Sequence, residues 1–380
     1  MEKFILMPDS FKGTMDSATV CAVMRKAILC RMPDAEILSI PVADGGEGTV
    51  DCFVSAIGAQ KIACRAVSPF GEPMDSFYAL LDDGTAVVEM AAAAGLPLVE
   101  GRADTMIATT YGVGMLLQDA LHRGAKKIIL GLGGSATTDG GVGAAAALGA
   151  VFLDRDGNAF VPTGGTLCDI ASLEISALRT KLRGIQITAM CDIDNPLCGT
   201  NGAAHVFAPQ KGASPEQVLC LDAGLSHLAQ LFERELGCSV AQVPGAGAAG
   251  GMGAGVLAFF GGVLQGGIDA VLDTVHFETL LSGTSLVFTG EGKMDRQSLR
   301  GKVVLGIARR AKRAGVPVIA VVGGAEEDLE EAYAQGVSAV FPINRLAVDF
   351  EISRHRSCEN LRDTMDNILR LYQLHLHSPQ

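Results

Sequence analysis

The 380-residue chain is short of positive charge: 30 Lys and Arg stand against 42 Asp and Glu, a net charge of −12. That balance argues against nucleic acid as the main partner, because a polyanion is repelled at long range. It leaves room for small anionic substrates, which need only local positive charge. The ten cysteines form no CxxC pair and no Cys/His set at zinc spacing. Most, such as Cys21 and Cys220, fall in apolar helical patterns and read as reduced core residues. No signal peptide is visible, since the apolar run after Lys3 is broken by Pro8 and Asp9. Together these features favour a reducing cytoplasm. There is no GxxxxGK[ST] phosphate loop and no GxSxG elbow, and the seven histidines show no metal-ligand spacing. One uncharged stretch, 243–264, is long enough to cross a bilayer, but its first half reads GAGAAGGMGAG, a poor helix former. A glycine-rich loop feeding a buried helix is expected there instead.

What the chain does have is organised around 126–147, KKIILGLGGSATTDGGVGAAAA. A β-branched apolar run passes into a small, hydroxyl-bearing loop and then into an Ala-rich segment. Strand, Gly-rich loop and helix aim free backbone N–H groups at an anion, and a helix N-terminus adds about half a positive charge. Asp139 fits less well there, because a carboxylate repels phosphate. Either a metal ion or substrate hydroxyl lies near it, or it caps a tight strand-to-helix turn.

In chain order, Phe4–Met7 is a buried strand delivering Asp9-Ser10-Phe11-Lys12, and a capped helix follows it. Glu36–Val42 is a second strand, delivering Asp44-Gly45-Gly46-Glu47-Gly48. From Lys61 the texture changes to short runs split by turn signals, and Asp83-Gly84 reads as a hairpin. A helix near 110–123 leads to the central motif. Ile185–Met190 is a strand delivering Cys191-Asp192-Ile193-Asp194. Ser214-Pro215-Glu216-Gln217 is a capping box opening a helix with a Val218, Leu221, Leu225, Leu228 and Phe232 stripe, ended by Gly237. After the Gly-rich 245–255 segment the parallel pattern returns, with strands at Ser285–Phe288, Val316–Val322 and Ala339–Ile343. There is no internal repeat. The expected fold class is α/β: a Rossmann-like parallel-sheet domain from 1–61 and 285–380, a mixed α/β domain inserted at 62–284, and the active-site cleft between them.

Open parallel sheets bind ligands outside the carboxyl ends of their strands. Five expected strands end in DSFK, ADGGEGT, GGSATTDGG, CDIDNP and TGEG. These residue types suit phosphoryl transfer, which needs positioned phosphates, a divalent cation and a carboxylate facing the attacking hydroxyl. Each acid also has a structural alternative: Asp9 and Asp16 can cap the first helix, Asp194 can form a turn into Pro196, and Asp295 can cap the helix before Gly301. Gly245 to Gly250 matches GxGxxG, with Asp269 at ribose-contact spacing, so a dinucleotide site is the competing enzyme reading.

The blocks PDSFKGTM, PVADGGEGT, GLGGSATTDGG, CDIDNPLCG, FAPQKGA, GAGAAGGMGAG and TGEGKMDRQSLRGK occur in order from Pro8 to Lys302. In this the chain resembles the bacterial type I glycerate kinase family. Thr138 stands where relatives often carry Asn. The resemblance implies a two-domain α/β fold with a cleft, and transfer of the γ-phosphoryl of ATP to D-glycerate with Mg²⁺, 2-phosphoglycerate being the favoured product, in organic-acid breakdown. It does not assign residue roles, which come from strand-end placement. On that basis Asp192, Lys12 and Asp9 are the catalytic candidates. Gly133, Gly134, Ser135, Thr137 and Lys211 are the nucleotide-binding candidates, and Asp44, Glu47 and Glu291 the metal candidates. The alternatives are an NAD-dependent hydroxyacid dehydrogenase and a non-catalytic organic-acid sensor. No nucleic-acid or membrane partner is expected, and a homodimer is left open.

Overall fold

The structure, a computed structural model, describes residues 1–42, 45–294, 303–326, 328–346 and 348–376. The chain opens with β1 (Lys3–Pro8), α1 (Ser17–Arg31), β2 (Glu36–Ser39) and α2 (Thr49–Ile57). Strands β3 (Gln60–Val67), β4 (Pro73–Leu80) and β5 (Thr85–Glu89) follow, then α3 (Ala91–Ala94), α4 (Tyr111–His122) and β6 (Lys127–Gly131). Next come α5 (Val142–Ala147), β7 (Val151–Leu153), β8 (Ala159–Phe160), β9 (Ser172–Glu174), α6 (Ser176–Lys181) and β10 (Gln186–Met190). Helices α7 (Ala203–Phe207), α8 (Pro215–Leu236) and α9 (Ala248–Ala258) lead to β11 (Val263–Gln265), α10 (Gly267–Thr274) and α11 (Phe277–Leu280). The last stretch holds β12 (Leu286–Gly290), β13 (Lys293–Met294), α12 (Val303–Arg313), β14 (Val318–Val322), β15 (Gly324–Ala325) and α13 (Glu330–Gln335). It closes with β16 (Ala339–Pro342), α14 (Phe350–Ser353) and α15 (Ser357–Leu376).

Two units form. The first comprises Met1–Ala43, Ser55–Gly58 and Ile268–Gln380, and the second Asp44–Val54 and Ala59–Gly267. In the first unit the sheet order is β16-β14-β12-β1-β2, and every neighbouring pair is parallel. Strands covered on both faces read as continuous apolar runs, which is why Phe4–Met7 shows no alternation and is wholly buried. Asp16 caps α1 by accepting from the Thr19 N–H at 2.6 Å, as the sequence anticipates. One face of α1 puts Val20, Met24 and Ile28 into a core with Phe4, Phe288, Leu361 and Met365. Each such side chain contributes about 1.5–3 kcal/mol by leaving water.

The second unit is built on a six-stranded sheet, β11-β10-β6-β5-β4-β3. It is parallel from β11 to β5 and antiparallel from β5 to β3. The hairpin turns at Gly84, whose φ of +82° suits glycine, and Asp83 Oδ1 accepts from the Thr85 N–H at 2.8 Å. The capping box at Ser214 and Gln217 is formed, and left-handed Gly237 ends α8 as expected. Val218, Leu221, Leu225, Leu228 and Phe232 are buried. A small sheet, β8-β7-β9, escaped the sequence reading.

Two expectations fail here. Cys21 is buried, but Cys220, on α8, is exposed, and Cys30, Cys168 and Cys358 on other elements are exposed too. Position 220 precedes Leu221 and lies off the buried stripe, so its helix pattern carries it to the surface. The GxGxxG match also lacks its context, because residues 237–247 contain no strand to feed it. The stretch 243–264 folds as loop, α9 and β11, and among the described residues no helix is long and apolar enough to cross a membrane.

Candidate active site

Strands β5, β6 and β10 end level: Glu89 and Met190 both pair in register with Gly131. The segments that follow them therefore gather at one edge. The loop after β6 is pinned by backbone bonds on two sides. Leu96 N–H donates to Gly134 O at 2.9 Å, and Ala136 N–H to Ala94 O at 2.8 Å. On the other side Gly133 N–H donates to Gly45 O at 2.9 Å. A Cβ on Gly133 would fall 2.6 Å from Gly46 Cα, and one on Gly131 2.4 Å from Gly45 O. On that side these two glycines leave room for the second loop, 45–46. Gly134 differs: its φ is +71° and a Cβ would meet only Ala91 Cβ, at 3.6 Å. The Gly-rich 245–255 segment backs the same loop, since a Cβ on Gly250 would lie 2.0 Å from the Thr137 carbonyl oxygen. Beside it Ala249 holds a left-handed φ of +54°, a strained conformation for a residue with a side chain.

Asp139 settles as a cap. It is fully buried, and its Oδ2 accepts from the Thr110 N–H at 2.8 Å, the Thr110 hydroxyl at 2.8 Å and the Gly143 N–H at 3.3 Å. Its Oδ1 accepts from the Gly141 N–H at 3.1 Å. The Ala144 N–H goes to Thr110 Oγ1 at 2.9 Å. The start of α5 is thus spent on protein partners, and the expected helix-dipole contribution to anion binding is not on offer there. Burial pushes the Asp139 carboxyl up, against the pull of its donors.

Lys211 closes the loop from the opposite side. It sits at the end of a short 3₁₀ turn, Pro209–Lys211, and is 2 % exposed. Its Nζ donates to Ser135 Oγ at 2.9 Å and to the Thr137 carbonyl at 2.7 Å. Burial pulls its ammonium down to about 7, with the charge of Asp139 opposing. Thr137 Oγ1 is buried without a hydrogen-bond partner among the described residues.

Gly133, Gly134, Ser135, Lys211 and Asp192 line one cavity of about 290 Å³, together with Gly46. Leu96, Leu132, Met190, Ile193 and Phe207 supply its apolar wall, and Gln210 its other polar side chain. Asp192 is exposed, and its Oδ1 accepts from the Gly267 N–H at 2.8 Å. Cys191 shares the wall; burial pushes its thiol up, so it is a poor nucleophile. Thr137 backs the cavity through its carbonyl without lining it.

In the first unit, Asp9, Lys12 and Glu291 collect at the ends of β1 and β12. The Asp9 N–H donates to Gly290 O at 2.8 Å, and a Cβ on Gly292 would come 3.2 Å from Lys12 N. Lys12 is exposed and Glu291 buried. Glu47 is exposed in the turn that precedes α2. Asp44 and Asp295 lie outside the described residues. Among the described residues no three His, Cys, Asp or Glu side chains converge as a metal cluster.

The sequence reading missed Glu89. It is 2 % exposed at the end of β5 and accepts from the Val50 N–H at 3.0 Å, anchoring the start of α2 behind Gly46. Burial pushes its carboxyl up. A charged residue closing an apolar strand, in VVEM, was the available signal. Leu96 and Phe207 carried none, being ordinary apolar residues in a short 3₁₀ turn and a helix.

Residues 4–373 match the model of the glycerate kinase family. A glycerate kinase of Haemophilus influenzae is 41% identical over 377 residues, covering 99% of this chain and 100% of that protein. A glycerate 2-kinase of Escherichia coli is 42% identical over 343 residues, 90% of each chain. A crystal structure from Salmonella typhimurium LT2, assigned as a glycerate kinase 2, superposes with a TM-score of 0.87 at 39% identity, covering 99% of this chain and 100% of that one. The molecule is an α/β kinase, and the hydride-transfer and sensor alternatives fall away. The chain belongs to the glycerate kinase family.

Proposed function

We propose that this kinase transfers the γ-phosphoryl group of ATP to D-glycerate, giving 2-phosphoglycerate in preference to 3-phosphoglycerate, in cytoplasmic breakdown of organic acids. The observation that carries the reading is one cavity wall that joins Gly133–Ser135 and the buried Lys211 to the carboxylate of Asp192. Phosphoryl transfer asks little covalent chemistry of a protein and depends on positioning and charge. In the proposed step the glycerate hydroxyl oxygen attacks the γ-phosphorus as the bond to the ADP oxygen breaks, and Asp192 takes the hydroxyl proton. The Gly267 N–H that holds Asp192 Oδ1 fixes the orientation of that carboxylate. Asp9 and Lys12 are proposed as further catalytic groups, with Lys12 as a charge partner.

Mg²⁺ carried by nucleotide phosphates needs only one or two protein carboxylates and keeps several waters. Glu47 and Glu291 are hard oxygen donors that suit this ion; each is proposed as a ligand, and so is Asp44, which lies outside the described residues. When bound, the ion would neutralise phosphate charge. The test is the product itself: ³¹P NMR of a reaction containing ATP, Mg²⁺ and D-glycerate separates 2- from 3-phosphoglycerate. A 3-phosphoglycerate signal would overturn the regiochemistry, and no new phosphomonoester would overturn the reaction.

A further inference from the structure

The cavity wall carries a buried lysine with no anion to match its charged form. Among the described residues Lys211 Nζ bonds only to neutral oxygens, the Ser135 hydroxyl and the Thr137 carbonyl. Among the described residues no carboxylate oxygen lies within 4.0 Å of it. An ammonium has three donors, and these two bonds leave one. Thr137 Oγ1, fully buried next to the carbonyl that Lys211 holds, also lacks a partner among the described residues. Taking an ammonium out of water without a counter-charge is costly, and the usual escape is loss of the proton.

The other ionisable groups around Lys211 do not supply the missing charge. Asp139 acts on it electrostatically but spends both oxygens on four protein donors. Asp192 and Cys191 lie on the same cavity wall, and Asp192 Oδ1 is engaged by Gly267. On neighbouring segments, His205 lies in α7, its ring 3.9 Å from Asp222, while Arg102 pairs with Glu72 and Asp104 Oδ1 accepts from the Met106 N–H.

We propose that an oxyanion entering this cavity, a nucleotide phosphate or the carboxylate of the acid substrate, pairs with Lys211 and draws a proton from solvent onto its Nζ. The amine gains one proton, the ligand supplies the opposite charge, and no other bond changes. Above neutral pH the cavity then selects anions by charging its own wall as the anion arrives. The choice of ligands rests on the kinase reading; the proton uptake does not. For a ligand of fixed charge, affinity is flat while Lys211 is protonated and falls about tenfold for each pH unit above its pKa in the empty cavity, because each binding event must then take up a proton.

Isothermal titration calorimetry on the full chain near pH 8, in HEPES and in Tris, tests this. The dependence of binding enthalpy on buffer ionisation enthalpy counts the protons taken up. Mg-ATP and D-glycerate are titrated separately, so that the arms identify which anion reaches Lys211. The expected result is uptake approaching one proton for that ligand, and none for it with Lys211→Met, which binds more weakly at pH 7. If Lys211→Met does not fold, the wild-type Kd between about pH 7.5 and 9 decides, and it should rise about tenfold per unit. Binding of both ligands without proton uptake, uptake that persists in Lys211→Met, a pH-independent Kd, or no binding of either ligand would each overturn the inference. Proton-linked binding without glycerate-dependent ADP release would leave it standing and remove the kinase reading instead.

Discussion

Asp139 offers the sharpest test of how the central loop is held. Its Oδ2 takes three donors and its Oδ1 one, all inside a fully buried setting. Asp139→Ala strips the partner from the backbone N–H groups of Thr110, Gly141 and Gly143 at once. An unsatisfied buried donor costs about 1–3 kcal/mol, and partial relaxation keeps the sum for such a site at about 3–5 kcal/mol. Asp139→Asn is milder. Its carbonyl oxygen can occupy the Oδ2 position and keep three donors, while its amide faces only the Gly141 N–H. One lost bond predicts about 1–3 kcal/mol, part of it offset because no charge is buried. Urea unfolding of the second unit, followed by circular dichroism, measures both: the midpoint should fall in the order Ala below Asn below wild type, at constant slope. An Asp139→Ala cost under about 1 kcal/mol, or equal costs for the two variants, would refute the capping role.

Three further outcomes follow from the same geometry. Gly133→Ala drives a Cβ to 2.6 Å from Gly46 Cα, where only backbone can yield, and should cost more than Gly134→Ala. The latter meets only an ordinary contact with Ala91 Cβ at 3.6 Å and is strained by its left-handed φ alone, about 1 kcal/mol or slightly more; equal melting temperatures would contradict this. Asp192→Asn keeps an oxygen for the Gly267 N–H, so it should melt as wild type while kcat falls roughly a hundredfold to ten-thousandfold; near-normal kcat would end its assignment as the base. Burial holds Lys211 at about 7 against an ordinary 10.5, so between those values the unfolded chain binds the extra proton and stability rises with pH. The difference in melting temperature between wild type and Lys211→Met should therefore shift in favour of wild type from pH 7 to pH 10, and a flat difference would show that the lysine is not perturbed.

Where one local rule decides, the sequence is enough. The apolar run at Ile128–Leu130 and the Ser214 capping box mark elements whose determinants lie within a few residues of each other, and both form. Cys220 was misplaced although the same rule covers it, because neighbours on a helix point about 100° apart and its neighbour Leu221 is the buried one. The site was legible in residue type but not in purpose. GLGGSATTDGG reads as an anion loop, yet Gly131 and Gly133 are glycine because Gly45 and Gly46 cross behind them, some 85 residues earlier in the chain. Asp139 reads equally as ligand or cap until Thr110, 29 positions away, brings a second helix start to the same carboxylate. Nothing local distinguishes Lys211 from an exposed lysine in a turn; its burial comes from the loop that Ser135 and Thr137 wrap over it.

A glycerate kinase must consume ATP only as glycerate is supplied. Coupled detection of ADP release, with purified protein, ATP and Mg²⁺ held constant and D-glycerate varied, measures it most directly. Release should saturate with D-glycerate, vanish without Mg²⁺, and drop at least a hundredfold in kcat in Asp192→Asn. ADP release unchanged by D-glycerate, across divalent metals and pH, would contradict it.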